Sequence, residues 1–398
     1  MSEESAEHLV VAFNFPPYND GSAVTAAKRI IERDVKVDVV AADLSSIRTT
    51  DPSLAQLISP WLESHYMVKP TISFASQRSV FEFANMGVRA LESRGRVERY
   101  DTVFSRSMWA HSHFLAAFIK SKYRSIAWTA EFSDPLLWQV DRTPRHSGPL
   151  ANTSDTRHIL RAIGSTGQAW LLDHPDVLTW AQAVPYLLAD TVMFTNDQQM
   201  QVMLEDVPLW MRDIVEPKAV VRPHPTLPRE YYGLESQEEE SSAGLPGKFK
   251  IGYFGTFYPN RGGGEFLEAL SLLADEDRQR IAFDVYSANA NHMLDVATAL
   301  GVRELIQVHD PLPYLKFLAA SDGYDALLVS DVATSPFGLP SPFLPSKYSD
   351  YAGSSAGVMS IVLDGSPLSK REAEWKARVG DIDGIVDMIS RAIRGKTC

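Results

Sequence analysis

The sequence contains one cysteine, Cys398, at its very end. This excludes an internal disulfide framework and fits a reducing compartment; the terminal position gives no reason to make the thiol catalytic. No apolar run approaches the length needed to cross a bilayer. The first residues, MSEESAEH, are polar and acidic, so no signal peptide is expected and the expected location is cytoplasmic. Positive charge is also scarce: 38 Lys and Arg stand against 50 Asp and Glu, for a net charge of −12. That balance argues against general affinity for nucleic acid or anionic membranes. The first loop lacks the G-x-G-x-x-G spacing of a dinucleotide fold, which makes a nicotinamide dehydrogenase an unsuitable reading. The histidines show no spacing typical of a metal site. Asp-x-Asp triplets at Asp275–Asp277 and Asp381–Asp383 sit at predicted helix ends rather than after an apolar strand, where acids are ordinarily solvated. No metal and no cofactor are expected. There is no repeat of short period, no low-complexity tract, and no Ser/His/Asp arrangement that the sequence alone supports.

What is present is alternation. At 398 residues the chain has room for two domains of ordinary size. His8–Phe13 is an apolar run of buried-strand type, followed by the loop NFPPYNDG, a helix over Ser22–Arg33 and a strand over Val35–Ala42. The spacing predicts a helix over 77–95, a strand over Tyr100–Ser105, a helix over Trp109–Lys120 and a strand over Arg124–Thr129. From Leu136 to about Thr179 the pattern weakens, as in an insertion with helical character. A helix near Trp180–Leu188, a strand at Thr191–Thr195, a helix from Asp197 and a strand at Ala219–Arg222 close a first domain over 1–233. LESQEEESSAGLPGK, 234–248, has almost nothing to bury and reads as a linker. Strands at 249–254, 283–287, 305–308, 325–330 and 358–362 then alternate with helices at 264–274, 291–300, 313–320 and 346–355, giving a second domain over 249–380. Such alternation predicts parallel sheets covered on both faces. The last helix, within 381–398, is free by its pattern to pack on either half, the first domain included.

The stretch that organises the second half is FKIGYFGTFYPNRGGGEFLEALSLLA, 249–274. A buried strand ends at Gly255, and Arg261 with Gly262, Gly263 and Gly264 leads into an amphipathic helix. Glycines leave backbone amides uncovered, and a helix N-terminus carries unpaired N–H groups that suit a phosphate. Arg261 is able to add a bidentate contact. The alternative is a glycine-rich turn that binds nothing.

Several marks now coincide. Gly255-Thr256-Phe257-Tyr258-Pro259-Asn260-Arg261-Gly262 resembles the G-R-L-x-x-x-K-G segment of family 4 glycosyltransferases of the GT-B fold. Pro345-Ser346-Lys347-Tyr348-Ser349-Asp350-Tyr351 resembles that family's P-S-K-x-x-E-Y stretch, which opens the helix facing the donor nucleotide. FPPYNDG, ending at Gly21, is similar to its glycine-bearing loop beside the donor phosphates, and Ala189-Asp190 before a strand ending in Thr195 is a further shared feature. The resemblance spans nearly the whole chain at low density. It implies an α/β architecture of two doubly wound, Rossmann-like domains facing across a cleft, and a metal-independent transferase that retains configuration at the anomeric carbon.

Residue by residue, the resemblance carries over unevenly. Thr256 stands where relatives have a phosphate-gripping arginine, Arg261 where they have a lysine, and Asp350 where a glutamate holds the donor ribose. The family's first glutamate, eight residues earlier, falls on Pro342. Donor-binding candidates are therefore Gly21, Gly255, Thr256, Arg261, Gly262, Ser346, Lys347 and Asp350. By position, Arg106 takes the place of a family histidine, with His111 and His113 a turn or two further on. Arg106, His113 and Asp134 are the catalytic candidates. Asp134, with Glu131 in AEFSDP, occupies the end of a strand where open α/β sheets bind ligands.

The implied reaction moves a sugar from a UDP-, GDP- or dTDP-sugar to a hydroxyl of a glycan, glycolipid or small molecule, in synthesis of bacterial cell-envelope polysaccharide or glycoconjugate. A nucleotide-sugar 2-epimerase on the same fold, or a degenerate binding subunit, is the alternative. Between Lys69 and Arg124, ten Lys or Arg stand against four Asp or Glu. A solvated face explains such a surplus; peripheral contact with an anionic membrane is the functional reading.

Overall fold

The computed structural model describes residues 6–95, 97–235, 247–256, 263–332 and 341–395. The chain divides after Pro225 into two compact units, Met1–Pro225 and Thr226–Cys398.

The first unit is built on seven strands: β1 (His8–Val11), β2 (Val37–Ala42), β3 (Leu62–Val68), β4 (Thr102–Ser107), β5 (Ala127–Phe132), β6 (Thr191–Phe194) and β7 (Ala219–Val221), in the order β3-β2-β1-β4-β5-β6-β7. Every neighbouring pair is parallel. A parallel sheet needs crossovers, and the helices that make them cover both faces, so inner strands must be apolar throughout. β2 meets that demand: each of its six residues is buried. The sheet buries Trp128, Phe132 and Phe194, and the helices Gln77–Arg94, His111–Lys122 and Val177–Leu188 add Phe83, Leu115 and Trp180.

The second unit has six strands: β8 (Phe249–Phe254), β9 (Ile281–Tyr286), β10 (Ile306–His309), β11 (Ala326–Ser330), β12 (Gly357–Val362) and β13 (Trp375–Arg378), in the order β10-β9-β8-β11-β12-β13, again all parallel. The helix Ile382–Gly395 buries Ile385, Met388, Ile389, Ala392 and Ile393, an i, i+3, i+4, i+7, i+8 stripe. These side chains join the core of the second sheet. Of the two halves on which its pattern left this helix free to pack, its buried stripe lies in the core of the second.

The division point also moves. Residues 226–233 belong with the second unit rather than with the first domain. Arg229 pairs with Asp322, and the Tyr232 hydroxyl donates to the Asp350 carbonyl, so the segment is fastened where its partners are. Residues 236–246, most of the linker over 234–248, lie outside the described residues.

Two strands escape the sequence pattern. β3 is an edge strand whose residues LESHYMV are all half-buried or exposed, so no apolar run marks it. β13, at the opposite kind of edge position in the second sheet, buries only Ala377 fully. The weakly patterned stretch over 136–179 contains the helices Ser154–Leu160 and Ser165–Asp173 and the start of Val177–Leu188.

Candidate functional site

In open α/β sheets, ligands bind beyond the carboxyl ends of the strands, where the strand order reverses. In the first unit that point lies between β1 and β4, and in the second between β8 and β11.

At the first point the sequence candidates fall into two groups. Gly21 opens the helix Gly21–Arg33, capped by Asp20, whose side chain accepts from the Ser22 N–H at 2.8 Å. Arg106 reaches this corner and donates from Nη1 to Ser22 Oγ at 2.7 Å. Arg106 is not in a loop, as its sequence position predicts. β4 runs on to Ser107, and Arg106 pairs in register with Glu131 of β5. Its guanidinium is 4% exposed, and its Nε lies 3.6 Å from Glu131 Oε2. Glu131 is itself fully buried and accepts from Arg29 Nε and Nη2 through Oε1, at 3.1 and 3.0 Å. Burial works against the Arg106 charge, while Glu131, Asp134 and Asp20 favour it. Gly21, Arg106 and Asp134 thus share one electrostatic neighbourhood, joined by Glu131.

His113 lies elsewhere. Its ring is 1% exposed, its Nδ1 is 2.8 Å from Ser105 Oγ, and it packs edge-on against Phe132 at 4.8 Å. Burial holds its pKa down to about 3, so the imidazole is neutral at physiological pH. This is a core position, in which Nδ1 is engaged by Ser105 and Nε2 is buried with no hydrogen-bond partner among the described residues. His111 is equally enclosed, stacked on Phe13 at 3.8 Å with Nε2 2.6 Å from Ser79 Oγ, and its pKa is likewise lowered to about 3.

The sequence pattern missed Asn14. It lies three residues past the end of β1, is 3% exposed, and neither its amide nitrogen nor its amide oxygen has a hydrogen-bond partner among the described residues. Next to it, Phe13 stacks on Trp109, whose Nε1 also lacks a partner there. Buried polar groups are ordinarily satisfied, so two such residues beyond the ends of β1 and β4 mark a place prepared for a polar ligand or water. The only sequence signal was an asparagine directly after an apolar run.

The second point centres on Gly255 and Lys347. β8 ends at Phe254, and Gly255 follows with φ 110°, a conformation that L side chains rarely adopt. A Cβ at Gly255 would stand 3.0 Å from Lys347 Cε and 3.2 Å from its Nζ. The missing side chain is what lets the ammonium lie against the strand end. That ammonium also sits 3.7 Å from the centroid of the Tyr253 ring. Lys347 begins a short helix, Lys347–Tyr351, preceded by Ser346. The helix is fastened to β8 because the Phe254 N–H donates to the Tyr351 hydroxyl at 3.0 Å. Tyr351 is fully buried.

Asp350 points the same helix toward a different contact: its Oδ1 accepts from the Tyr314 hydroxyl at 2.7 Å. Thr256 is exposed just beyond Gly255, and its carbonyl accepts from Tyr253 at 2.7 Å. Arg261 and Gly262 lie outside the described residues, which resume at Gly263 with the helix Gly263–Leu272.

A polar cluster that the sequence did not reveal lies beside this point. Asp284 in β9 is fully buried and contacts His309 Nε2 at 3.1 Å and the Tyr324 hydroxyl at 2.9 Å. Tyr286 stacks on Phe254 at 4.5 Å and on His309 at 4.6 Å, so rings from the ends of three adjacent strands form one row. No cluster of metal-ligating side chains occurs among the described residues.

No family model matches this chain, and no curated protein matches it. Solved structures do match over almost its full length. HepE from Anabaena, in complex with UDP-glucose, superposes with a TM-score of 0.59 at 12% identity, covering 98% of this chain and 90% of that one. A glycosyltransferase from Rickettsia africae gives 0.59 at 11%, covering 99% and 89%. UDP-GlcNAc 2-epimerase from Neisseria meningitidis, bound to UDP-GlcNAc, gives 0.54 at 13%, covering 97% and 91%. What the chain shares with these proteins is its architecture, two Rossmann-like α/β units of the GT-B fold.

Proposed function

We propose that this protein is a family 4-type glycosyltransferase that moves a sugar from a nucleoside diphosphate sugar to an acceptor hydroxyl with retention. The observation that carries this reading is the placement of the Lys347 ammonium against Gly255, at the strand-order reversal of the second sheet. A compact cation beside a side-chain-free strand end suits a diphosphate. When the anomeric carbon–oxygen bond to the diphosphate breaks, negative charge grows on the departing oxygen. Lys347 would stabilise it, together with Arg261 and the amides that open the helix at Gly263. Stabilising charge where it develops is commonly the largest single contribution to such a step.

Ser346, Thr256 and Gly262 would line the same phosphates, and Asp350, oriented by Tyr314, would meet the donor ribose. Arg106, Asp134 and the loop ending at Gly21 would serve the acceptor and the transferring sugar, with Asn14 as an added amide for sugar hydroxyls. Glu131 is a positioning residue for Arg106. No step requires a metal. The proposed setting is cell-envelope polysaccharide or glycoconjugate synthesis in the cytoplasm, with the basic surface of 69–124 resting on an anionic membrane. No helix of the described residues is long and apolar enough to cross a membrane.

A 2-epimerase is the second reading, favoured by the match to the Neisseria enzyme. A panel of UDP-, GDP- and dTDP-sugars screened by thermal shift tests the proposal, because a ligand that binds only the folded chain raises its melting temperature. The transferase reading predicts a shift with one donor class and glycosylated product when acceptors are added. An isomerised sugar with no transfer would favour the epimerase, and no shift with any member of the panel would contradict both.

A further inference from the structure

The first unit carries a recess of about 510 Å³ that takes no part in the donor and acceptor assignments, although Arg89 and Lys122 of its lining belong to the basic stretch 69–124. It lies between the helices Gln77–Arg94, His111–Lys122 and Ser154–Leu160. Its lining includes Val97 and Tyr123, which precede β4 and β5, so it sits at the edge where those strands begin. The transfer residues proposed in this unit lie at the other edge, where strands end.

Four cations face the recess: Arg89, Lys122, Arg157 and Arg161. Two carboxylates face it as well, and both are engaged. Glu92 pairs with Lys122, and Asp155 accepts from the Asn85 amide at 3.4 Å. Arg157 donates to the Asn152 side chain at 3.1 Å. The Arg89 and Arg161 side chains meet no hydrogen-bond or ion-pair partner among the described residues. The wall behind these charges is apolar, formed by Val88, Phe118 and Ile119. Along the helix Gln77–Arg94 the recess adjoins a second one that shares Asn85, Arg89 and Asp155.

We propose that this recess binds the phosphate of a phosphorylated small molecule, with Arg89 and Arg161 as its paired forks. Planar guanidinium groups match phosphate oxygens bidentately, and two that pair with no carboxylate among the described residues leave that geometry available. A volume of about 510 Å³ fits a discrete molecule of metabolite size, and the apolar wall suits the non-ionic part of an ester. The separation from the strand ends of this unit makes it a second site, apart from Arg106 and Asp134. It stands independently of the donor assignment.

The test uses the full chain carrying Lys347→Ala, so that the proposed donor site does not compete. Inorganic pyrophosphate is titrated calorimetrically into this chain and into the same chain with Arg89→Ala and Arg161→Ala. The proposal predicts saturable binding in the first and a loss of about tenfold or more in affinity in the second. A Ser154→Trp chain, which fills the recess without altering charge, should lose binding as well, and it serves if the double variant fails to fold. A parallel sedimentation arm uses phosphatidylcholine vesicles with and without phosphatidic acid. Retention by phosphatidic acid alone, lost in the double variant, assigns the same phosphate chemistry to a lipid headgroup. Unchanged pyrophosphate affinity after the substitutions, or absence of binding to either probe, would overturn the proposal.

Discussion

Gly255 and Lys347 depend on one another. The glycine holds φ 110° and leaves the space that Lys347 Cε and Nζ occupy. Gly255→Ala therefore combines a strained backbone with a contact at 3.0 Å. A cost of about 1–3 kcal/mol in stability is expected from the backbone alone, together with weaker donor binding as the lysine is displaced. Denaturant titration reads the first effect and calorimetry with the donor reads the second. Loss of neither would mean that the close approach is unimportant. In the first unit, Glu131→Gln breaks one partner of a fully buried charge pair that serves both Arg29 and Arg106. A destabilisation of about 3–5 kcal/mol is predicted, measured as a lowered urea midpoint. A change below about 1 kcal/mol would show that the network contributes little.

Residue types were more legible than their surroundings. Lys347 stood out in the sequence because PSKYSDY sets a cation beside a predicted helix start, and the structure lays its ammonium against Gly255. His113 could not be placed, since one dimension does not distinguish a histidine aimed at a ligand from one aimed at Ser105 and Phe132. Asn14 carried only the weak mark of an asparagine after an apolar run; its burial without partners is what makes it notable.

At the scale of elements, one of the links that position Lys347 is a hydroxyl on its own helix. Tyr351 accepts from the Phe254 N–H and so ties a five-residue helix to the end of β8. Tyr351→Phe leaves that buried N–H without its partner, at a cost of about 1–3 kcal/mol. Donor affinity should fall with it, because the helix carrying Lys347 and Asp350 loosens. Donor affinity equal to that of the parent would show that the other contacts of the helix, such as those from Tyr232 and Tyr314 to Asp350, hold Lys347 in place without this link. The inner elements of both sheets were legible because burial on both faces forces continuous apolar runs, as in β2. The edge strands β3 and β13 escaped because an edge relaxes that demand, leaving half-exposed polar residues with no period to detect. The same reasoning explains Arg106: a buried arginine inside β4 looks, in sequence, like the end of a strand.

For the molecule as a whole, acid should weaken the fold. Burial keeps His111 and His113 neutral, with pKa values near 3 against an ordinary 6.5. Between those values the unfolded chain binds protons that the folded one refuses, so stability falls as pH drops from 6.5 towards 3. Asp206 opposes this. Burial raises its pKa to about 6, so its contribution is full below 3.8 and is lost as pH rises through 6. Two histidines with the wider gaps outweigh one acid, and the net expectation is a urea midpoint that declines across the acidic range. A His111→Gln/His113→Gln chain should show a flatter decline; an unchanged slope would contradict the assignment.

The two-unit division was legible because an acidic, serine- and glycine-rich stretch interrupts the strand–helix alternation. Its exact place was not, since residues 226–233 are fixed by partners a hundred positions away, such as Asp322 and Asp350. That second unit is where the central claim is most directly open to measurement, by calorimetric titration of the parent chain and of Lys347→Ala with the nucleoside diphosphate sugar that gives the largest thermal shift. Saturable binding to the parent, weakened in the variant by about 1.5–3 kcal/mol, is the predicted result. The same affinity in both chains, or no nucleotide bound by the parent, would contradict it.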